Sequence, residues 1–147
     1  MTDAQAMLIQ QEGTGPQRDG RFFPYPDTAA PPRMTIGYGH NLEAKGIPEA
    51  VANMLFSDDL ADAIEDVRYC FSCYDQLSRP RQLVLISMAF NLGRDKLNQF
   101  VRFIGAVHLG HWDAAADEIM NSKAAAQAPV RYKTLAAMMR NDTSEWV

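Results

Sequence analysis

The sequence predicts an α+β fold, with a small β-hairpin-containing N-terminal lobe and a larger all-helical C-terminal lobe. Two observations lead to this prediction. Residues 13–47 hold six of the nine glycines and five of the eight prolines, a composition typical of short strands joined by turns. From Pro48 onward, apolar residues recur at the three- and four-residue spacing of helices that pack on one face.

The first elements follow from composition and from residues that end helices. Residues 4–12 contain neither glycine nor proline, and they predict a short helix that ends at Gly13. Within residues 13–47, Tyr25 and Thr35 belong to a set of β-branched and aromatic residues at strand-like spacing. This part of the chain is therefore predicted to be a small, irregular β-hairpin region with loops.

The helical part is predicted to begin at Pro48, because proline suits the first turn of a helix. Ser57 and the aspartates after it predict the cap of a further helix, which would connect the two lobes. The whole chain is predicted to be one domain. Its parts are a β-containing lobe at about 13–56, a connector helix at about 57–73, and a helical lobe at about 74–147 together with helix 4–12.

Proline and glycine also predict the later helix boundaries. Pro80 is predicted to start a helix that carries a long apolar run. Gly93, Gly105 and Gly110 are predicted to separate short helices, since glycine is a poor helix former. Pro129 is predicted to open the last long helix, and the segment 112–120 is predicted to be another one.

Composition and charge limit the possible functions. The 147 residues are 47% hydrophobic and 22% charged, which is typical of a folded globular domain. The net charge of -4 argues against nucleic acid as a partner, because phosphate binding requires clustered lysine and arginine. No apolar run approaches the roughly 20 residues that span a bilayer, so stable membrane insertion is not expected. The N-terminus has no signal-peptide pattern, so we expect synthesis in the cytoplasm.

Two cysteines, Cys70 and Cys73, form a Cys-x-x-Cys pattern. A zinc site needs four ligands, and no second pair of cysteine or histidine residues stands at matching spacing. A redox pair is typical of a strand-to-helix turn, whereas this pair follows a helical pattern. We therefore interpret both as partly buried thiols at a helix end, and expect neither a metal nor a cofactor.

Three residues of the N-terminal region form a candidate hydrolytic site. Glycosidase chemistry uses one carboxylic acid to protonate the leaving oxygen and a second carboxylate on the other side of the sugar ring. Glu12 stands at the predicted C-terminal end of the first helix, where the helix dipole disfavours a negative charge and so favours an acid. Asp27 stands in a loop rich in proline, where polar groups can keep it ionised. Thr35 can hold a water molecule beside Asp27.

These residues stand in motifs that resemble those of the phage lysozymes, the peptidoglycan-cleaving endolysins of the T-even type (glycoside hydrolase family 24). The motifs are Glu12-Gly13, Tyr25-Pro26-Asp27 and Thr35-Ile36-Gly37-Tyr38-Gly39-His40. The resemblance extends from Leu8 to about Trp146. It implies a lysozyme-like fold with a cleft between the lobes, and hydrolysis of the β-1,4 bond between N-acetylmuramic acid and N-acetylglucosamine.

The resemblance also implies a role for each of the three residues. Glu12 would be the proton donor, Asp27 would assist the attacking water, and Thr35 would help to position that water. The chain departs from the family in having longer intervals, with fourteen residues between Glu12 and Asp27 and seven between Asp27 and Thr35. The extra residues, Thr14 to Phe22, are expected to loop out, because longer surface loops cost little additional entropy.

Further residues take predicted roles from the same resemblance. His40 would pair with Asp59 and so join the hairpin to the next helix, although a general-base role for His40 was the alternative. The substrate is expected to contact five residues: Gly39, Asn41, Phe90, Gln127 and Arg131. A core position and a position in the sugar cleft are equally consistent with Phe90. Arg131 would hold Glu12 by charge-assisted bonds.

Two alternatives to a muramidase remained open. A lysozyme fold that binds glycan strands without cutting them would lack one of the catalytic residues. A lytic transglycosylase would need the acid but neither Asp27 nor Thr35. The expected partner is bacterial peptidoglycan, the expected state is a monomer, and the expected location is the periplasm or cell wall after release from the host cytoplasm by a separate pore or delivery system.

Overall fold

The computed structural model describes residues 1–144 and confirms the α+β fold class, with short strands near the N-terminus and helices afterwards. The described residues fall into two compact units, which are Met1–Asn53 and the chain from Met54 onward. The elements, in chain order, are α1 Asp3–Glu12, β1 Gln17–Arg18, β2 Arg21–Phe22, β3 Tyr25–Pro26, β4 Met34–Ile36, β5 His40–Asn41, α2 Leu42–Lys45, α3 Glu49–Cys70, α4 Arg79–Leu92, α5 Arg94–Asn98, α6 Val101–Leu109, α7 Trp112–Met120, α8 Lys123–Gln127 and α9 Pro129–Asn141.

The first helix has a hydrogen-bonded cap at each end, and its predicted end at Gly13 is confirmed. The Gln5 N–H donates to the Thr2 hydroxyl at 3.2 Å, and the Thr2 N–H donates to the Gln5 side chain at 2.8 Å. This reciprocal pair satisfies donors that a helix start leaves free. At the other end, Gly13 has φ +77° and donates to the Ile9 carbonyl. The helix therefore ends with Glu12 as its last residue.

The strands form two small antiparallel sheets. In the first, β1 and β2 pair across a turn at Asp19 and Gly20, whose φ angles are +50° and +74°. A two-residue turn with both φ angles positive is the form that matches strand twist, and Asp-Gly favours it. The segment from Thr14 to Phe22, which was expected to loop out, is thus largely an ordered hairpin.

The second sheet has the order β3-β4-β5 and carries three candidate residues of the N-terminal unit, Thr35, His40 and Asn41. Thr35 lies opposite Tyr25 on one side and opposite Asn41 on the other. The β4–β5 connection is a hairpin with the three-residue tip Gly37-Tyr38-Gly39, since Ile36 pairs with His40. The sequence prediction of a β-hairpin region is confirmed.

Two predicted helix boundaries were wrong. A new helix was predicted at Ser57, but α3 is continuous from Glu49 to Cys70. That stretch contains no glycine or proline, and a helix that has started propagates through Ser and Asp at small cost. Gly105 was predicted to separate helices, but it lies inside α6. Buried Phe103 and Val107 on the same helix offset the roughly 1 kcal/mol that an interior glycine costs.

The core lies in the helical unit. Helix α4 contributes Leu85 and Met88, which are both fully buried. Helix α9 packs against α4 and α7, and α7 packs against α6; these three helices contribute Tyr132, Ile119 and Phe103 to the same cluster. The boundaries predicted from Pro80, Gly93, Gly110 and Pro129 are confirmed. The end of the predicted helical lobe, including Trp146, lies outside the described residues.

The two cysteines are free thiols. Burial raises the pKa of both Cys70 and Cys73, so neither is a reactive thiolate near neutral pH. Within residues 1–144, no three His, Cys, Asp or Glu side chains cluster as metal ligands would. In the same part of the chain, no helix is both long enough and apolar enough to cross a membrane.

Candidate active site

Asp27 is the most firmly held of the candidate groups. Its Oδ1 accepts hydrogen bonds from the Ala29 N–H at 3.0 Å and from the Arg33 N–H at 2.9 Å. The Asp27 N–H donates in turn to the Arg33 carbonyl at 2.9 Å, which closes the connection from β3 to β4. Aspartate in loops often bonds a backbone amide two residues later, so this turn follows from local sequence. The carboxylate is therefore fixed by backbone groups.

The same bonds favour the charged form of Asp27. Hydrogen bonds from the Arg33 and Ala29 backbone lower the pKa of Asp27 below its ordinary value, because they favour the ionised form. Desolvation opposes this shift, and the positive charge of Arg33 adds a smaller lowering. Asp27 is therefore an anion at neutral pH, as a group that accepts a proton from water must be.

Thr35 lies next to this turn and is buried. Its side chain is only 4% exposed, and its hydroxyl donates to the Arg33 carbonyl at 3.3 Å. Arg33 thus uses its N–H for Asp27 and its carbonyl for both Asp27 and Thr35. Because the Thr35 hydroxyl donates its hydrogen to that carbonyl, its oxygen remains able to accept a hydrogen bond.

Glu12 is exposed at the end of α1 and lies against the tip of the β4–β5 hairpin. A methyl group added at Gly39 would stand 3.7 Å from Glu12 Oε2 and 3.8 Å from its Cβ. Gly39 also has φ +81°, a backbone conformation that other residues rarely adopt. The hairpin that carries Thr35 therefore also carries the backbone that borders Glu12.

His40 and Asn41 follow this tip in β5. The His40 ring lies 2.5 Å from the Gly46 carbonyl through Nε2, so Nε2 carries the hydrogen because a carbonyl only accepts. The Asn41 side-chain oxygen accepts from the Ala44 N–H at 2.9 Å and caps α2. Both side chains thus have structural partners within their own unit. The predicted substrate contact of Asn41 stays a prediction.

In the helical unit, Asp59 and Phe90 line one cavity of about 190 Å³. The Phe90 ring is 47% exposed, and its centroid lies 5.8 Å from that of Phe56. Phe90 therefore presents an apolar face at the surface of the unit and is not a core residue. This position fits the role in sugar binding that the resemblance implies.

Gln127 and Arg131 line two other cavities of the helical unit. Gln127 is the last residue of α8 and borders a cavity of about 730 Å³. Arg131 lies in the first turn of α9 and borders a cavity of about 690 Å³ with Ser87 of α4. Both side chains are exposed. They are available to a ligand.

The structure thus brings the candidates together in two groups. Asp27 and Thr35 share the Arg33 backbone, and Glu12 borders Gly39, within the N-terminal unit. Asp59 and Phe90 line the same cavity in the helical unit. The predicted bonds from Arg131 to Glu12 and from His40 to Asp59 would join residues of different units, and they stay predictions.

Sequence reasoning missed two backbone groups that matter here. The N–H groups of Ala29 and Arg33 hold Asp27 and lower its pKa, although neither side chain stands in a recognised motif. The Ala29 bond was predictable, because an aspartate two residues before a free amide commonly forms such a turn. The Arg33 bond was not, since it depends on how β3 pairs with β4.

One family of known proteins matches this chain. The phage lysozyme family matches the chain over residues 18–141, which include Asp27, Thr35, Phe90 and Arg131. Glu12 lies before the matched range. No match was found among individually curated proteins. Because the matched range covers most of the 147 residues, the chain belongs to the phage lysozyme family, and its activity is that of a glycoside hydrolase acting on peptidoglycan.

Proposed function

We propose that the chain is a muramidase, which hydrolyses the β-1,4 bond between N-acetylmuramic acid and N-acetylglucosamine. The observation that carries this proposal is the setting of Asp27, an anionic carboxylate that two backbone hydrogen bonds hold in one position, with the Thr35 hydroxyl bonded to the same residue, Arg33. A hydrolase needs such a group to take a proton from water.

Asp27 and Thr35 would hold the attacking water between them. Both backbone bonds to Asp27 fall on Oδ1, so Oδ2 is the oxygen that would accept a proton from water. The Thr35 oxygen, whose hydrogen is given to the Arg33 carbonyl, would accept the other hydrogen of the same water. Two fixed acceptors orient the water lone pair towards the anomeric carbon of the muramic acid.

Glu12 would act as the general acid. Its proton passes to the glycosidic oxygen as the bond from that oxygen to the anomeric carbon breaks. The water oxygen forms the new bond to the anomeric carbon, and the water proton passes to Asp27. The products are a free reducing muramic acid end and a free hydroxyl on the neighbouring glucosamine. Attack by a water on the opposite face inverts the configuration at the anomeric carbon.

The remaining candidates would bind the substrate or support the acid. Gly39, Asn41, Phe90 and Gln127 would contact the glycan, and Arg131 would hold Glu12. His40 and Asp59 would form a structural ion pair. Support for these roles comes from the family motifs and from the exposure of Phe90, Gln127 and Arg131.

The test is digestion of purified peptidoglycan by the wild type and by Glu12→Gln, with fragments identified by mass spectrometry. We expect wild-type fragments with free reducing muramic acid ends, and almost none from the variant. Ends closed as 1,6-anhydro sugars would indicate a lytic transglycosylase. Binding without release would indicate a binding module. Proton NMR of the first-formed anomer checks the inversion, because an α-anomer from the β-bond supports the single displacement.

We also propose that the chain acts as a monomer in bacterial lysis, made in the host cytoplasm and released to the cell wall by a separate pore or delivery system. Support comes from the family and from the position of peptidoglycan outside the cytoplasmic membrane. Expression in a bacterial host with and without a membrane-permeabilising agent tests this route. Lysis only after permeabilisation is the expected outcome, and lysis without it would contradict the proposal.

A further inference from the structure

The tip of the β4–β5 hairpin borders the proposed acid, and its residue types alone do not make it rigid. The tip is Gly37-Tyr38-Gly39, and both glycines have positive φ angles, +63° and +81°. Glycine leaves the backbone more conformational freedom than any other residue. Gly39 is nevertheless the residue that lies against the Glu12 side chain. Something must hold this tip if Glu12 is to keep one position.

The β1–β2 hairpin contacts the tip from a separate part of the chain. The Phe22 ring in β2 meets the Tyr38 ring edge-to-face, with centroids 5.3 Å apart and planes at 65°. This is a favoured geometry for an aromatic pair. Tyr38 is 55% exposed, so the pair lies at the surface and is not part of an apolar core.

A second contact lies at the start of the same segment. A side chain added at Gly15 would stand 2.7 Å from the Tyr25 ring and 3.0 Å from the Gly37 carbonyl. Only a residue without a side chain therefore fits there. The segment from Gly15 to Phe22 thus touches the tip at Gly37 and at Tyr38, the two residues that precede Gly39.

We propose that the β1–β2 hairpin is a brace for the catalytic hairpin, and that Phe22 is a positioning residue that acts on Glu12 through Tyr38 and Gly39. This inference rests on the proposed role of Glu12 as the acid. Phe22 fixes the Tyr38 ring, the ring fixes the tip, and the Gly39 backbone limits where the Glu12 carboxyl can lie. A displacement of about 1 Å at a catalytic group can cost on the order of 100-fold in rate.

The test compares three variants. Phe22→Leu removes the ring and keeps an apolar side chain, while Phe22→Tyr keeps the ring. Phe23→Leu is the matched control, because Phe23 lies in the same segment and stacks with Arg18, whose guanidinium carbon is 4.1 Å from its ring centre. Activity is measured as kcat and KM on soluble glycan oligomers. The NMR order parameter of the Gly39 amide is measured on the same proteins.

For Phe22→Leu we expect kcat to fall about 10-fold or more with KM within about two-fold of wild type, since the acid is misplaced while substrate binding remains. The Gly39 order parameter should fall from about 0.85 towards 0.6. Phe22→Tyr should keep kcat and the Gly39 order parameter near their wild-type values. Phe23→Leu should do the same.

Two outcomes would overturn the brace, and a third would separate it from the proposed function. Equal losses in Phe22→Leu and Phe23→Leu would show a general effect on the segment. An unchanged Gly39 order parameter in Phe22→Leu would show that the tip does not depend on Phe22. A wild type that is inactive on glycans, with Gly39 still loosened by Phe22→Leu alone, would support the brace while rejecting the muramidase proposal.

Discussion

The N-terminal unit and the helical unit are stabilised in different ways. Every buried apolar side chain among the described residues belongs to the helical unit, where a cluster around α4 includes Leu85, Met88 and Tyr132. In the described residues before Met54, Thr35 alone is buried. Apolar burial is the dominant favourable term in folding, so the helical unit has the larger stabilisation from its own residues.

Local hydrogen bonds take the place of a core in the N-terminal unit. Thr2 and Gln5 cap α1, Asn41 caps α2, and the Asp27 carboxylate closes a turn with Arg33. Each of these bonds joins residues at most six positions apart in the sequence. A cap contributes about 1 kcal/mol, far less than a buried cluster.

This difference indicates how the catalytic side chains of the candidate site are held in position. The proposed catalytic carboxyls lie in the unit without an apolar core, and backbone groups aim one of them directly. Functional segments are often taken from the less stable parts of a protein. Here, short-range hydrogen bonds position the chemistry, while the helical unit provides the bulk of the stability.

The largest effect should come from Asp27→Asn, which separates charge from geometry. The amide oxygen can still accept the bonds from Ala29 and Arg33, so the turn should persist. The side chain can no longer accept a proton from water, and kcat should fall by about 10²–10⁴-fold. Turnover of glycan oligomers and thermal unfolding measure the two effects.

The matched control is Asp19→Asn, at an exposed turn with φ +50° that asparagine also adopts readily. This control should keep wild-type kcat. An Asp27→Asn variant with wild-type kcat would show that the charge of Asp27 has no catalytic role.

The second effect is on stability and should be confined to the helical unit. Leu85→Ala removes a fully buried side chain from α4 and should cost about 2–5 kcal/mol of unfolding free energy. Below its unfolding transition, this variant should retain most of its kcat, because the proposed catalytic residues lie elsewhere. Leu109→Ala, at a side chain that is 71% exposed, is the control and should cost less than about 0.5 kcal/mol. Urea unfolding measures both, and equal losses would contradict the comparison.

A smaller effect should distinguish helix caps in the two units. Asn41 accepts from the Ala44 N–H, and Ser122 accepts from the Ala125 N–H in the helical unit. Replacing either by alanine should cost about 1 kcal/mol. In hydrogen exchange, Asn41→Ala should lower the protection of amides in the N-terminal unit alone. Ser122→Ala should lower the protection of amides in the helical unit, including those of α4. Equal loss of α4 protection in both variants would show that the two units open together.

The smallest effect is the pH dependence from Asp27. Its pKa is lowered in the folded chain, chiefly by the Arg33 and Ala29 backbone bonds. Its contribution to stability is therefore present above the unfolded pKa of about 3.9 and is lost as the pH falls through the lower folded value. The difference in melting temperature between wild type and Asp27→Asn should shrink in that acidic range.

Arg33→Gln separates the two effects of Arg33 on the pKa of Asp27, because it removes the guanidinium and keeps the backbone N–H. A carbon-13 NMR titration of the Asp27 carboxyl should show only a small rise in the pKa, since the charge of Arg33 is the least of the causes that lower it. A return of the pKa to its ordinary value would mean that the charge of Arg33, and not the backbone, lowers the pKa of Asp27.

Most of the fold could be predicted from the sequence, because its signals are local. Gly13 ends α1, Gly93 ends α4 and Pro129 opens α9, as their backbone preferences require. The failures at Ser57 and Gly105 have one physical reason. Weak local preferences give way when a helix propagates without a strong breaker or when its neighbours pack into a core.

The candidate site likewise has features that follow from local sequence and others that depend on tertiary contacts. The candidate residues and the family follow from the sequence alone, since Glu12, Asp27 and Thr35 stand in recognisable motifs. Three contacts emerge only from the folded chain: the Arg33 N–H lowers the pKa of Asp27, Gly39 borders Glu12, and the Phe22 ring packs against Tyr38. These contacts depend on strand register and on the path of a hairpin, which short-range preferences do not specify.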